Sequence, residues 1–136
     1  MTLPVTAALA VAMAALLLLL AIDTVRQRLR VRAAFGTADD ERLERASRAH
    51  GNLAEHAPLV VILVGLLEMS RANHMALLAI AGVFIIARVL HAIGLYMKGP
   101  ENGPPWPRFV GVMLTWATIV VLCGWTFVML LGNLAD

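Results

Sequence analysis

Long apolar runs alternate with short polar stretches along the chain and divide it into four hydrophobic segments. At a rise of about 1.5 Å per residue, roughly twenty residues cross a hydrocarbon core of about 30 Å. Each segment reaches that length, so the pattern predicts membrane-spanning α-helices at about residues 3–30, 41–69, 74–97 and 107–134. The predicted fold class is therefore all-α: one domain over residues 1–136 that forms an integral membrane four-helix bundle with up-down topology.

The second segment differs from the others because its first half is polar and its second half is apolar. Pro58 lies where the two halves meet. A proline inside a helix bends it or removes one backbone hydrogen bond. We therefore expect a bend or a missing hydrogen bond at this point of the second helix.

The composition agrees with a membrane protein, since 60% of the residues are apolar and only 15% are charged. Soluble domains carry about a quarter charged residues, so this balance excludes a soluble enzyme, a disordered tail and a nucleic-acid-binding protein. The single cysteine, Cys123, excludes an intramolecular disulfide and a metal site built from several cysteines. His50, Glu55 and His56 do not share one helical face, so no metal site is predicted.

Basic side chains are distributed unequally between the two ends of the predicted bundle. Nine lie at the end that holds the first and third connections, whereas Arg71 is alone at the end that holds both termini. The nine are Arg26, Arg28, Arg30, Arg32, Arg42, Arg45, Arg48, Lys98 and Arg108. Cytoplasmic loops carry an excess of lysine and arginine. The sequence therefore predicts that the basic end faces the cytoplasm and that both termini lie on the non-cytoplasmic side.

Several charged or polar side chains fall within or beside the predicted membrane segments. A charge costs about 2.5–3.5 kcal/mol near the centre of a membrane helix and usually marks a functional site. The residues are Arg45, Arg48, Asn52 and Glu55, which share one face of the second helix, and Arg88 and His91, one turn apart on the third. Arg30 and Arg108, at the ends of the first and fourth helices, extend the cluster at the same end of the bundle.

This set of side chains favours a ligand that carries charges of both signs. Guanidinium groups bind carboxylates through paired hydrogen bonds, a glutamate among them suits an ammonium group, and an asparagine can both donate to and accept from an amide. The residues alone predict an anionic, peptide-like ligand that binds from the cytoplasmic side. The alternative is structural: Arg48, Glu55 and Arg88 would form salt bridges that fix the helix register, and the other arginines would bind lipid phosphates.

The sequence from Glu44 to Pro58, ERASRAHGNLAEHAP, resembles the core motif of the MAPEG family, the membrane-associated proteins in eicosanoid and glutathione metabolism. The flanking sequences RVRAAFG (30–36) and RVLHAIG (88–94) support the resemblance, as do the lengths and order of the four segments. The chain is most similar to the bacterial members. The resemblance implies a homotrimer in the bacterial inner membrane, with glutathione held between neighbouring protomers near the cytoplasmic face.

Transferred by position, the resemblance assigns the co-substrate glutathione to side chains of the first three helices. Its contacts would be Arg30, Arg48, Asn52, Glu55, Arg88 and His91. Arg108, at the start of the fourth helix, would lie near the sulfur and act as the catalytic residue. A nearby cation favours the thiolate, which is a better nucleophile than the thiol at neutral pH.

The chain departs from the well-known enzymes of the family at several positions. Gly51 stands where some members have another arginine, and Leu95 stands where some active members have tyrosine. Phe109 follows Arg108 where the prostaglandin-synthesising members have serine, and the linker 99–107 is longer. These differences disfavour prostaglandin synthesis.

Three functions stay open from the sequence. The first is a glutathione-dependent transferase or peroxidase that acts on hydrophobic small molecules entering from the membrane lipid. The second is a non-catalytic trimer that binds glutathione or lipid. The third is a small proton-coupled multidrug exporter, which needs a membrane-embedded carboxylate, and its candidates Glu55 and Glu68 both lie near span ends.

Overall fold

The structure, a computed structural model, describes residues 2–101 and 103–135. Within these ranges the chain forms four α-helices and no β-strand. The helices are α1 (Pro4–Val31), α2 (Glu41–Met69), α3 (His74–Tyr96) and α4 (Trp106–Ala135). All four are long and apolar enough to cross a membrane, so the predicted all-α membrane fold is confirmed.

Helices α2 and α3 form the centre of the bundle, and each packs against both α1 and α4. Apolar side chains between the helices are almost completely buried, including Leu9, Leu53, Val60, Leu67, Leu77, Phe84 and Leu122. On the outside, Leu18, Ile62, Ile86 and Val120 are more than half exposed. A soluble protein rarely leaves so much apolar surface uncovered, so these outer faces suit contact with lipid or with neighbouring chains.

Helix α2 continues through Pro58 without interruption. The proline therefore does not divide the polar half of the helix from its apolar half. Its direct effect is the loss of the hydrogen bond that a backbone N–H at this position would donate one turn back. The polar half and the apolar half of α2 are thus parts of one continuous helix.

The first turn of α1 is capped by a side chain from α2. The N-cap residue Leu3 makes no side-chain capping bond. Instead, Glu68 accepts hydrogen bonds from the Val5 N–H at 3.0 Å, the Thr6 N–H at 2.8 Å and the Thr6 hydroxyl at 2.7 Å. The carboxylate satisfies backbone donors that a helix start leaves unpaired, and its charge suits the positive end of the helix dipole.

We expect Glu68→Ala to lower the free energy of unfolding by about 2 kcal/mol, because charge-assisted hydrogen bonds contribute about 1.5–3 kcal/mol each and water can replace part of this set. Glu68→Gln should cost less, since an amide oxygen still accepts one of the bonds. Reversible unfolding in detergent measures both changes. Glu101→Ala, at an exposed position between α3 and α4, is the matched control, and equal stability of the control and Glu68→Ala would contradict the capping role.

Asp40 caps the start of α2 and joins it to the end of α1. Its carboxylate accepts a hydrogen bond from the Leu43 N–H at 2.8 Å and an ion-paired bond from Arg30 Nη2 at 2.5 Å. The bond from Leu43 is the main cause that lowers the pKa of Asp40, the Arg30 guanidinium adds to it, and partial desolvation opposes it.

The lowered pKa of Asp40 gives stability a defined pH dependence. Because the folded pKa lies below the ordinary value of 3.8, this stabilisation is complete above that value and is lost as the pH falls through the folded pKa. Asp40→Asn should keep the cap but remove this contribution to acid sensitivity, since asparagine caps helices about as well as aspartate. The free energies of unfolding of the wild type and of Asp40→Asn, measured from about pH 6 to pH 3, test this. The same pH dependence in both proteins would contradict it.

Candidate functional site

A cavity of about 500 Å³ lies between α2, α3 and α4, at the end of the bundle that carries the α1–α2 and α3–α4 loops. We call it the inner cavity. Its lining is Thr37, Glu44, Ser47, Arg48, Gly51, Asn52, Glu55, His56, Arg88, His91, Leu95, Arg108, Val112, Thr115 and Trp116. Of the predicted site residues, the structure brings together all but Arg30 and Arg45 in this lining.

Helical geometry explains why these residues meet. The lining positions of α2 are spaced three or four residues apart from Glu44 to His56, so they form one face of the helix. The lining positions of α3 and α4 repeat in the same way. One face of the polar first half of α2 therefore lines a cavity, although the side chains of Glu44 and Arg48 on that face are also more than half exposed.

Arg88 is the central feature of the inner cavity because it is buried without a counter-charge. Its side chain is 2% exposed, and Nη2 donates to Asn52 Oδ1 at 2.6 Å while Nη1 donates to Thr115 Oγ1 at 3.2 Å. Across residues 2–101 and 103–135, no carboxylate lies within 4.0 Å of this guanidinium, and its Nε is buried without a hydrogen-bond partner. A buried charge held only by neutral groups is costly, and an anion in the cavity would compensate it.

The partners of Arg88 are themselves fixed in direction. Thr115 donates its hydroxyl hydrogen to the Gly111 carbonyl oxygen at 2.7 Å, so its oxygen is free to accept from Arg88. Asn52 uses its carbonyl oxygen for Arg88, which leaves its NH₂ group as a donor. Asn52 therefore retains both N–H donors for a ligand in the inner cavity.

The salt bridges of the structural alternative are not formed among the described residues, where Arg48 and Arg88 have other partners, and its lipid contacts stay a prediction. Arg48 Nε lies 3.8 Å from Glu44 Oε1, one turn away on the same helix, and its side chain is 73% exposed. Arg88 is held by Asn52 and Thr115. Helices α2 and α3 are thus joined by packing and by the hydrogen bond from Arg88 to Asn52 rather than by an ion pair, and Arg48 is available to a ligand.

Arg45 does not belong to the ligand-facing stripe that the sequence predicts. Its Nη1 donates to the carbonyl oxygens of Tyr96 and Met97, at 3.2 Å each, and its Nη2 forms an ion pair with Glu41. These are carbonyls that the end of α3 leaves without helical partners. Arg45 therefore caps α3, a role that the spacing on α2 alone does not reveal.

Arg30 is engaged with Asp40 and is not part of the described lining of the inner cavity. Its contact with glutathione stays a prediction. The chain's sole tyrosine, Tyr96, also points elsewhere, because its hydroxyl donates to Asp23 Oδ2 at 2.6 Å. Leu95 lines the cavity, as its position on α3 predicts, so the inner cavity has no phenol group.

A second cavity, of about 850 Å³, adjoins the first, and we call it the outer cavity. The two share Glu44, Arg48, Leu95, Arg108, Val112 and Trp116. Phe109 and Met113 add apolar walls, and Phe109 and Trp116 are more than half exposed on the outside of α4. Arg108 thus stands where the two cavities meet, and the outer cavity combines these apolar walls with the charged side chains of Glu44, Arg45 and Arg48.

Sequence reasoning missed several lining residues. Glu44, Ser47 and His56 could have been found by extending the helical spacing of Arg48 and Asn52 in both directions. The sequence contains no comparable indication for Thr115, because the hydroxyl of a threonine in an apolar helix more often donates a hydrogen bond to a carbonyl oxygen of the same helix. Its interaction with Arg88 depends on how α3 and α4 pack.

The fold and this site define a membrane-embedded helical bundle with a cationic cavity near one end of its spans. The sequence profile of the MAPEG family matches residues 6–128, and the chain belongs to this family. It is also similar to the inner membrane protein YecN of Escherichia coli strain K12, with 31% identity over 119 residues, which are 87% of this chain and 86% of the relative. YecN of Escherichia coli O6:H1 matches to the same extent. Together with the four spans, these relatives support an integral inner membrane protein; the sidedness of the termini stays a prediction.

Proposed function

We propose that this protein binds glutathione in the inner cavity and uses it as co-substrate to conjugate lipophilic electrophiles or reduce lipophilic peroxides. The buried guanidinium of Arg88 is the observation that carries the proposal. Asn52 and Thr115 hold it in place without neutralising it, so the cavity is prepared for an anionic group.

The charges of the inner cavity match those of glutathione. The lining contains three arginines and two glutamates. At neutral pH glutathione carries two carboxylates and one ammonium group, so the net charges are opposite in sign. Arg88 and Arg48 suit the carboxylates, Glu55 suits the ammonium group, and the NH₂ of Asn52 can donate to a peptide carbonyl. The volume of about 500 Å³ lies within the usual range for small-ligand sites.

Arg108 is suited to stabilise the sulfur as a thiolate. It lies at the junction of the two cavities, where a glutathione sulfur could meet a second substrate. A thiol has an ordinary pKa of about 8.5, and a fixed cation favours its ionised form. The apolar walls of the outer cavity suit a hydrophobic second substrate that enters from lipid.

We further propose that the active form is a homotrimer, as the resemblance to the family implies. The inner cavity is open on one side, and Arg30 lies outside it in the single chain. A neighbouring protomer would close the open side, and its own α1 could supply the missing arginine. Native mass spectrometry of the detergent-purified protein measures this assembly directly.

A non-catalytic glutathione-binding protein is the second candidate. Leu95 occupies the cavity wall, and the Tyr96 hydroxyl is held by Asp23, so no phenol can assist the sulfur. A proton-coupled exporter is less favoured, because Glu68 is bound to the start of α1 by three hydrogen bonds. The remaining candidate carboxylate, Glu55, lies among the arginines of the inner cavity.

Conjugation of glutathione to a nitro-substituted aryl chloride tests the catalytic proposal. The purified protein should accelerate the reaction, and Arg108→Ala should reduce kcat by about 10²-fold, the usual effect of removing one group that stabilises developing charge. Arg71→Ala, at the opposite end of the bundle, should have no effect. A protein that binds glutathione but does not raise the rate above the protein-free rate, for several electrophiles and hydroperoxides, would favour the non-catalytic function.

A further inference from the structure

The proposed conjugation step releases the thiol proton, which needs an acceptor. The arginines of the inner cavity can stabilise a thiolate, but a guanidinium group stays protonated in proteins and so cannot accept a proton. His56 lines the same cavity on α2 and is half-buried. Imidazole is the side chain whose charge changes closest to neutral pH, so it is the group best suited to accept this proton.

The hydrogen bond made by His56 determines which of its ring nitrogens is free. Nδ1 lies 2.8 Å from the carbonyl oxygen of Asn52, one helical turn earlier. A carbonyl oxygen only accepts hydrogen bonds, so Nδ1 is the donor and carries the hydrogen. In the neutral ring Nε2 then keeps its lone pair and can accept a proton.

The other groups of the inner cavity are less suited to this role. The ring of His91 is 4% exposed, and its Nδ1 lies 3.5 Å from the Arg108 carbonyl oxygen between α3 and α4. The charged groups that face the cavity are Glu44, Arg48 and Glu55 on α2, Arg88 on α3 and Arg108 on α4. Glu44 is paired with Arg48, and Glu55 is the proposed partner of the ligand's ammonium group. Each of these carboxylates therefore already has a cationic partner.

The geometry points to His56 as the group that accepts the thiol proton during conjugation, a role that rests on the proposed function. His56 would then be a second catalytic residue in addition to Arg108. The S–H bond breaks, and its proton passes to His56 Nε2 directly or through one water. The sulfur electron pair forms the new S–C bond, while the bond to the leaving group breaks and its electron pair departs with that group. The imidazolium then releases its proton to water, which restores neutral His56.

The experiment compares the full-length protein with His56→Gln, whose amide can still donate to the Asn52 carbonyl but cannot accept the proton. Glutathione affinity should stay within about threefold of the wild type, while kcat at neutral pH should fall by about 10²–10⁴-fold, the usual contribution of a general base. The remaining rate should rise about tenfold per pH unit, because hydroxide then removes the proton. His50→Gln, on the same helix but outside the described lining, is the matched control and should behave as the wild type.

A second variant separates catalysis from packing. Imidazole added to His56→Ala should restore part of kcat, which a purely structural loss would not allow. Wild-type kcat and an unchanged pH profile in His56→Gln would overturn the role of His56, and so would a loss of glutathione affinity as large as the loss of kcat/KM. If the wild-type protein itself neither binds glutathione nor conjugates it, the proposed function fails, and the role of His56 fails with it.

Discussion

Replacing Arg88 by methionine is expected to weaken glutathione binding by about 30-fold or more without unfolding the protein. Removing one partner of a buried charged contact costs about 2–5 kcal/mol of binding free energy, and about 1.4 kcal/mol corresponds to tenfold in affinity. The guanidinium is 2% exposed and has neutral partners, so its burial is unfavourable to the empty protein. An apolar side chain of similar length removes that cost, and such replacements are often neutral or stabilising.

The free energy of unfolding of Arg88→Met should therefore not fall by more than about 1–2 kcal/mol, because loss of the bonds to Asn52 and Thr115 is offset by removal of the buried charge. Arg88→Lys keeps the charge but loses the paired donors, and it should bind glutathione with intermediate affinity. Arg71→Met, exposed at the other end of the bundle, controls for the loss of one positive charge. If Arg88→Met is strongly destabilised but its folded molecules bind glutathione as tightly as the wild type, Arg88 has a structural role instead.

The substitution Gly111→Ala is expected to lower the free energy of unfolding by about 3 kcal/mol, at the upper end of the usual cost of overpacking. A Cβ atom at this position would lie 2.7 Å from both the Ala87 carbonyl oxygen and the His91 backbone nitrogen. These are backbone atoms of α3, which cannot rotate away as a side chain can. Helices α3 and α4 would have to separate, and Arg108 at the start of α4 would move away from the inner cavity.

Two glycines of the same helices provide matched controls for this effect. A Cβ atom at Gly82 on α3 or at Gly124 on α4 would meet no atom within 4 Å. Alanine there should leave stability unchanged or raise it by about 0.5–1 kcal/mol, because alanine restricts the unfolded chain. Unfolding in detergent distinguishes the three variants, and equal stabilities would mean that α3 and α4 do not approach as closely as the structure shows.

The fold and much of the site could be predicted from the sequence because both depend on periodic patterns. Apolar runs of membrane length give the four helices, and a spacing of three or four residues places Arg48, Asn52 and Glu55 on one face of α2. The same spacing on α3 places Arg88, His91 and Leu95 on the cavity wall. A charge in an apolar helix is costly, so Arg88 stands out without any structural information.

The remaining features depend on where helix ends and connections lie in three dimensions. Arg45 has the spacing of a ligand residue, but the carbonyls at the end of α3 are within its reach. Arg30 is drawn to Asp40 because the α1–α2 connection brings the two together. Glu68 serves as a helix cap because α1 begins beside the end of α2. None of these contacts follows from a periodicity within one helix.

Calorimetric titration of glutathione into the detergent-purified protein tests most directly whether the inner cavity is a glutathione site. We predict saturable binding that Arg48→Ala and Glu55→Ala each weaken by about tenfold or more, the loss expected for one charge-assisted contact. Arg71→Ala should bind as tightly as the wild type. No saturable heat at millimolar glutathione in a folded sample, or equal affinities of Arg48→Ala and Arg71→Ala, would contradict the proposed function and leave Arg88 as a buried charge without a ligand of this class.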